Sequence, residues 1–175
     1  MKARASQAGM ALIEVLVAML IVAFGALGFV GLQARTTVTN LEGYQRAQAL
    51  VLLNDIAQRM NANRAAAISY VAADIGVNDP GACPANPLAA RDLCEWSNLI
   101  RGAAVEESGN KVGAVQAARG CIEALGGGRY LVSVVWQGVQ ATAPSALACG
   151  NGAYSAENLR RGVSSVLQMA NLTAP

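Results

Sequence analysis

An α+β chain is predicted from the sequence: a long N-terminal helix, apolar in its first half and amphipathic in its second, packed on a small antiparallel sheet with a disulfide-closed C-terminal region. Three observations predict it. Residues 10–32 form an apolar run, and a helical stripe continues it with no proline before Pro80. A β-branched run comes after a triple glycine at 126–128. All four cysteines come after the apolar run.

The apolar run is 23 residues long and holds a single charge, Glu14. About 20 apolar residues suffice to cross a bilayer as a helix, so the run reads as a membrane anchor. Glu14 asks for more. A carboxylate in a membrane helix costs on the order of 2–3 kcal/mol on insertion scales, and such a charge usually has a partner and a task. Two plainer readings compete. An ordinary secretory signal peptide would take residues 1–8 as its basic region and be cut beyond Ala23, with a charge inside a long hydrophobic region. A simple signal anchor would carry Glu14 incidentally. Gly25, Gly28 and Gly31 either let helices pack closely, or let the helix bend, or reflect the frequency of glycine in membrane helices.

Beyond the run, Ala49, Leu52, Leu53, Ile56 and Met60 keep the spacing of one helical face, with Val38 and Leu41 extending it upstream. Glu42 with Arg46, and Asp55 with Arg59, have the i, i+4 spacing of favourable pairs. One helix is therefore expected from about Met10 to about Asn63, near 80 Å long at about 1.5 Å per residue. Asp55, Arg59 and Asn63 are expected to form a hydrogen-bonding set at its end rather than a binding site.

Residues 65–110 read as irregular. Asn78-Asp79-Pro80-Gly81 is a turn signal, Pro84 and Pro87 keep the next stretch extended or looped, and a short helix is expected at 92–101 with Trp96 as a core plug. Residues 120–125 and 130–136 read as a hairpin around Gly126-Gly127-Gly128, residues 137–158 as a loop of small residues, and 159–169 as a last strand. The triple glycine lacks the Lys and Ser/Thr of a phosphate loop and reads as a turn. Asn171-Leu172-Thr173 is treated as a chance glycosylation triplet.

Composition excludes several functions. There is no histidine, which removes the commonest general base and metal ligand. No nucleophile, base and oxyanion set can be assembled without it, so no enzyme activity, cofactor or metal site is expected. Of 13 Lys and Arg and 11 Asp and Glu, Lys2 and Arg4 precede Gly9, so the chain from Met10 onward has 11 of each. A balanced surface carries no electrostatic footprint for nucleic acid, and Arg160-Arg161 reads as a solvated strand end. The positive-inside rule keeps the N-terminus cytoplasmic and exports the chain beyond the anchor. In an oxidising periplasm Cys83, Cys94, Cys121 and Cys149 read as disulfides. Three pairings are open; the one without nesting, Cys83 to Cys94 and Cys121 to Cys149, is favoured, at roughly 3 kcal/mol per loop. A zinc site lacks both a Cys-x-x-Cys and a histidine.

The leader with Lys2 and Arg4, then Gly9, Met10 and Glu14 at the fifth position of a hydrophobic helix, resembles the type III signal of type IV pilins and pseudopilins. The resemblance implies cleavage between Gly9 and Met10 by a prepilin peptidase and N-methylation of Met10. Met10 and Ala11 stand where that family usually has Phe and Thr, whereas Leu12-Ile13-Glu14 fits its pattern. The new amine would lie four residues from Glu14, and in lipid a carboxylate and an amine of neighbouring subunits would neutralise each other. Glu14 is thus expected to dock subunits.

Asp55, Arg59, Met60, Ala62 and Asn63 fit the pattern of an acidic residue before Arg-Met-x-Ala-Asn. With Gly25-Ala26-Leu27-Gly28 and Gly31-Leu32-Gln33 upstream, they are similar to PilV-type minor pilins, as are Asp92-Leu93, Trp96 and Leu99 more weakly. That family implies a pilin-like fold divided into a leader at 1–9, a membrane and filament-core helix at 10–32, its amphipathic continuation at 33–64 and a periplasmic α+β region at 65–175. It implies residence in the inner membrane, then in the pilus. The partners would be prepilin peptidase, the inner-membrane assembly platform, other minor pilins and the major pilin. The protein would prime type IV pilus assembly, with the pilus tip as one position for it, in a pilus serving twitching motility, cell adhesion or DNA uptake. The alternatives are a minor pseudopilin of a type II secretion system and an adhesive or DNA-uptake pilin.

Overall fold

The computed structural model describes residues 8–103, 106–107, 110–111 and 115–170. Residues 1–7 of the expected leader and the triplet at 171–173 lie outside the described residues. The chain divides into two compact units, one running to Leu41 and one from Glu42.

The first unit is the N-terminal part of helix α1, which spans Ala8–Ala62. Its large apolar side chains between Leu12 and Leu32 are 52–70% exposed, on every face of the helix. Such a surface has no core to bury against within its own unit, and it is the pattern of a helix meant for an apolar surrounding.

The second unit packs the C-terminal part of α1 on a four-stranded antiparallel sheet. The strands are β1 (Ala72–Ile75), β4 (Arg119–Gly126), β5 (Arg129–Gln137) and β6 (Arg160–Gln168), in the order β1-β4-β5-β6. Helix α2 (Leu88–Ile100) and a two-stranded ribbon of β2 (Glu106–Glu107) and β3 (Asn110–Lys111) lie between β1 and β4 in the chain. Ala49, Leu52, Leu53, Ile56 and Met60 share one core with Tyr130, Val132, Val134 and Trp136 of β5. The two periods explain this: the i, i+3, i+4 stripe of a helix meets alternate residues of a strand. Trp96 of α2 is fully buried and its Nε1 donates to the Leu52 carbonyl at 2.9 Å. It plugs the core. Two disulfides close the unit, Cys83–Cys94 and Cys121–Cys149.

Several expectations are corrected. The packed face of α1 does not include Leu41, which is 45% exposed; Gln45 is buried instead. The stretch expected to be irregular holds β1, where Ala72-Ala73-Asp74-Ile75 is too short and alanine-rich to show alternation. Helix α2 starts at Leu88, one residue after Pro87, because proline tolerates the position just before or at a helix start. Arg160 is 3% exposed rather than solvated, because its guanidinium finds four acceptors, the Glu157 carboxylate and three backbone carbonyls.

Candidate functional site

The backbone is helical from Ala8, so the Gly9–Met10 peptide lies in the first turn of α1. Glu14 stands four residues after Met10, about one turn, and is exposed. No further charge occurs until Arg35. Glu14 and Arg35 are 21 positions apart, about 31 Å along a helix, close to a bilayer's hydrocarbon thickness of about 30 Å. By length and composition α1 can cross a membrane, with a mean hydropathy of 2.7 over its most apolar 18 residues. The result is a rod, apolar on all sides, with one carboxylate near its start. A surface of that kind takes up lipid or other apolar helices, and the carboxylate draws a cation into the same contact.

The second unit holds the other residues singled out in the sequence. Arg59 gathers three carboxylates: Nε donates to Asp55 at 2.9 Å, and Nη1 to Asp92 at 3.3 Å and Glu95 at 2.5 Å. Burial works against this guanidinium charge, but hydrogen bonds and charges from Glu95, Asp55 and Asp92 outweigh it and raise its pKa. Tyr70 donates to Asp92 at 2.5 Å and accepts from Asn63 Nδ2 at 3.2 Å. Burial, then the bond to Asp92, pushes the Tyr70 hydroxyl up to about 12. The cluster ties the end of α1 to α2 and to the 3-10 turn at Arg64–Tyr70. It is a structural joint whose polar groups are turned on one another.

Glu42 does not turn to Arg46 as the spacing suggests. Its Oε1 accepts from the backbone N–H of Val139 and Gln140, at 3.2 and 3.0 Å, and from Arg161 Nη2 at 3.3 Å. Arg160 donates to Glu157 at 2.7 Å and to the carbonyls of Ser145, Leu147 and Cys149 at 2.9, 2.7 and 3.0 Å. These two residues pin the loop at 138–158 to α1 and β6. Spacing along the chain shows only the Glu157–Arg160 pair, three residues apart; the other partners of both residues are more distant in sequence. Among the described residues no three of His, Cys, Asp and Glu gather as a metal site.

Residues 4–30 match the family model described as the prokaryotic N-terminal methylation motif. No curated protein matches the chain, and no solved structure matches it. The matched segment contains the Gly9–Met10 bond, Glu14 and most of the apolar rod. The chain thus carries a prepilin-type methylation motif at the head of a helix able to span a membrane, on a pilin-like α+β fold, and the motif supports a type IV pilin-like or pseudopilin protein processed by prepilin peptidase.

Proposed function

We propose that the protein is a minor pilin of the PilV type that helps to prime type IV pilus assembly. Prepilin peptidase removes residues 1–9 and Met10 becomes the methylated N-terminus. Residues 10–32 hold the protein in the inner membrane with its N-terminus cytoplasmic, and the region from 65 onward lies in the periplasm. The same rod then enters the filament, where Glu14 pairs with the N-terminal amine of a neighbouring subunit, whether another minor pilin or the major pilin. The protein acts by packing and not by catalysis.

One observation carries this reading: Glu14 is the only charge in an apolar rod exposed on every face, one turn after the Gly9–Met10 bond. Alone in lipid the carboxylate is costly, and opposite an amine it becomes a docking contact. The PilV assignment draws further on Arg59, Met60, Ala62 and Asn63, which fit Arg-Met-x-Ala-Asn.

N-terminal mass spectrometry of the protein from cells with and without the peptidase tests it. A chain beginning at N-methylated Met10 only when the peptidase is present supports the reading. A start beyond Ala23, or an uncut Met1, overturns it. The motif at 4–30 is equally compatible with a minor pseudopilin of a type II secretion system. Loss of surface pili with secretion intact, after deletion of the gene, separates the two.

A further inference from the structure

We infer that a cleft on the outer face of the sheet receives a lysine or arginine side chain presented by a protein partner. The inference stands on the second unit alone and does not depend on the filament reading. The cleft measures about 420 Å³ and is walled by small residues, among them Ala72, Ala73, Ala148 and Gly150, with Cys121 and Cys149 of the disulfide between them.

Three charged residues line it: Asp74, Arg119 and Glu123. Two of them neutralise each other. β1 pairs with β4 at Ala72–Ile122 and Ile75–Gly120, and the register slips between. Asp74 sits in that irregularity at φ 55°, a backbone conformation uncommon outside glycine that re-aims its side chain. The carboxylate accepts from Arg119 Nη1 at 3.2 Å. Arg119 is further held over the Tyr154 ring, 5.5 Å from its centre. Glu123 is different. It is partly buried, and among the described residues its carboxylate has neither an ion pair nor a hydrogen bond. Arg129, on the same face and one diagonal step away, forms no ion pair with it. The cleft therefore keeps one uncompensated negative charge.

A carboxylate left without a partner in a cleft attracts a cationic head group, and the charge-assisted hydrogen bond is stronger than a neutral one. The cleft walls suit the rest of such a side chain, because the methylene stem of Lys or Arg packs well on small apolar residues. The surroundings point to a protein as its source. Glu123 pairs laterally with Leu131, and Leu131 with Val166, so the three share one row on the outer face. Val166 is 54% exposed. A free small cation would leave this apron bare, whereas a polypeptide that inserts a cation would cover it.

The test uses the full chain in detergent micelles, monitored by amide NMR shifts. The probes are N-acetyl-lysine methylamide, its uncharged norleucine counterpart, and the peptide acetyl-Leu-Lys-Leu-amide. The lysine compound is expected to bind saturably, with shifts at Ala72, Cys121, Glu123 and Ala148, and the norleucine compound is not. The peptide is expected to bind more tightly and to move Leu131 and Val166 as well. In Glu123→Gln the lysine compound should bind at least roughly fivefold more weakly. Absence of saturable shifts, equal binding of norleucine, or binding untouched by Glu123→Gln overturns the inference. A peptide no tighter than the single residue overturns the protein partner and leaves a site for a free amine.

Discussion

Glu42 and Arg161 lie 119 positions apart, and Arg161 Nη2 donates to Glu42 Oε1 at 3.3 Å. The same carboxylate oxygen takes the N–H groups of Val139 and Gln140. A residue at the start of the second unit thus holds the entry of the 138–158 loop.

That contact depends on pH. Burial raises the Glu42 pKa, but the Gln140 N–H, the Arg161 charge and hydrogen bond, and the Val139 N–H together lower it below the ordinary value of 4.5. A depressed carboxylate contributes stability that is present above its unfolded pKa and lost as pH falls through the folded one. Glu42→Ala is expected to cost about 1 kcal/mol at neutral pH. The difference from wild type should shrink as the pH is lowered below the usual carboxylate range. Denaturant unfolding of both proteins in detergent at neutral and acid pH measures it, and a pH-independent difference would count against the carboxylate.

The joint around Arg59 should be far more sensitive. Asp92 has a side chain only 7% exposed and relies on Arg59 and Tyr70. Breaking a fully buried pair costs about 3–5 kcal/mol. Arg59 is a quarter exposed and Glu95 nearly half, so solvent screens part of the cost. Arg59→Ala is expected to destabilise the second unit by about 2 kcal/mol, read by denaturant unfolding. Arg59→Lys should recover only part of this, because an ammonium cannot reach Asp55, Asp92 and Glu95 with the same fork. Asp92→Asn in the Arg59→Ala background tests the cause: it removes the stranded charge and should restore stability.

Much of this architecture is legible in the chain itself. α1 is a single periodic pattern without proline, and its end falls near Asn63 because the stripe stops there. The β5 run and the glycines before it announce the hairpin for equally local reasons. β1 is not legible, because four residues containing two alanines carry no alternation and gain their strand character only from pairing with β4. Arg160 reads as an exposed strand end because the carbonyls that bury it come from a loop of small residues with no pattern. The candidate site divides in the same way. Gly9, Met10 and Glu14 form a linear signal readable from spacing, whereas the cleft beside Glu123 is assembled from β1, β4 and a loop joined by a disulfide.

Gly120 offers a packing test. Its place in β4 faces α2, and a Cβ there would come within 2.2 Å of Trp96 Cη2 and 2.5 Å of Cζ3. The indole cannot retreat, since its Nε1 is bonded to the Leu52 carbonyl. Gly120→Ala is therefore expected to destabilise by about 1–3 kcal/mol through overpacking, although alanine is otherwise the smallest change available. Combining it with Trp96→Phe, which makes room but gives up the hydrogen bond, should cost less than the sum of the two. A double-mutant cycle by denaturant unfolding reads that coupling.

Arg160 and the Cys121–Cys149 bridge hold the same loop by different means. The bridge closes a segment with a sequence separation of 28, and in the chain-entropy model it restrains the unfolded chain by about 3.5 kcal/mol. Arg160 acts on the folded state, where its bonds to the carbonyls of residues 145, 147 and 149 fix the loop's path. Replacing Arg160 by Met keeps much of its bulk but leaves the buried Cys149 carbonyl and the partly buried Ser145 and Leu147 carbonyls without this donor, at about 1–3 kcal/mol. The two changes should have different signatures. Arg160→Met is expected to speed hydrogen exchange and proteolysis within 138–158 even with the disulfide intact, because local opening no longer breaks those bonds. Replacing Cys121 and Cys149 by Ala should lower global stability, with the loop still tethered by Arg160. Equal exchange rates in wild type and Arg160→Met would show that Arg160 does not set the loop's path.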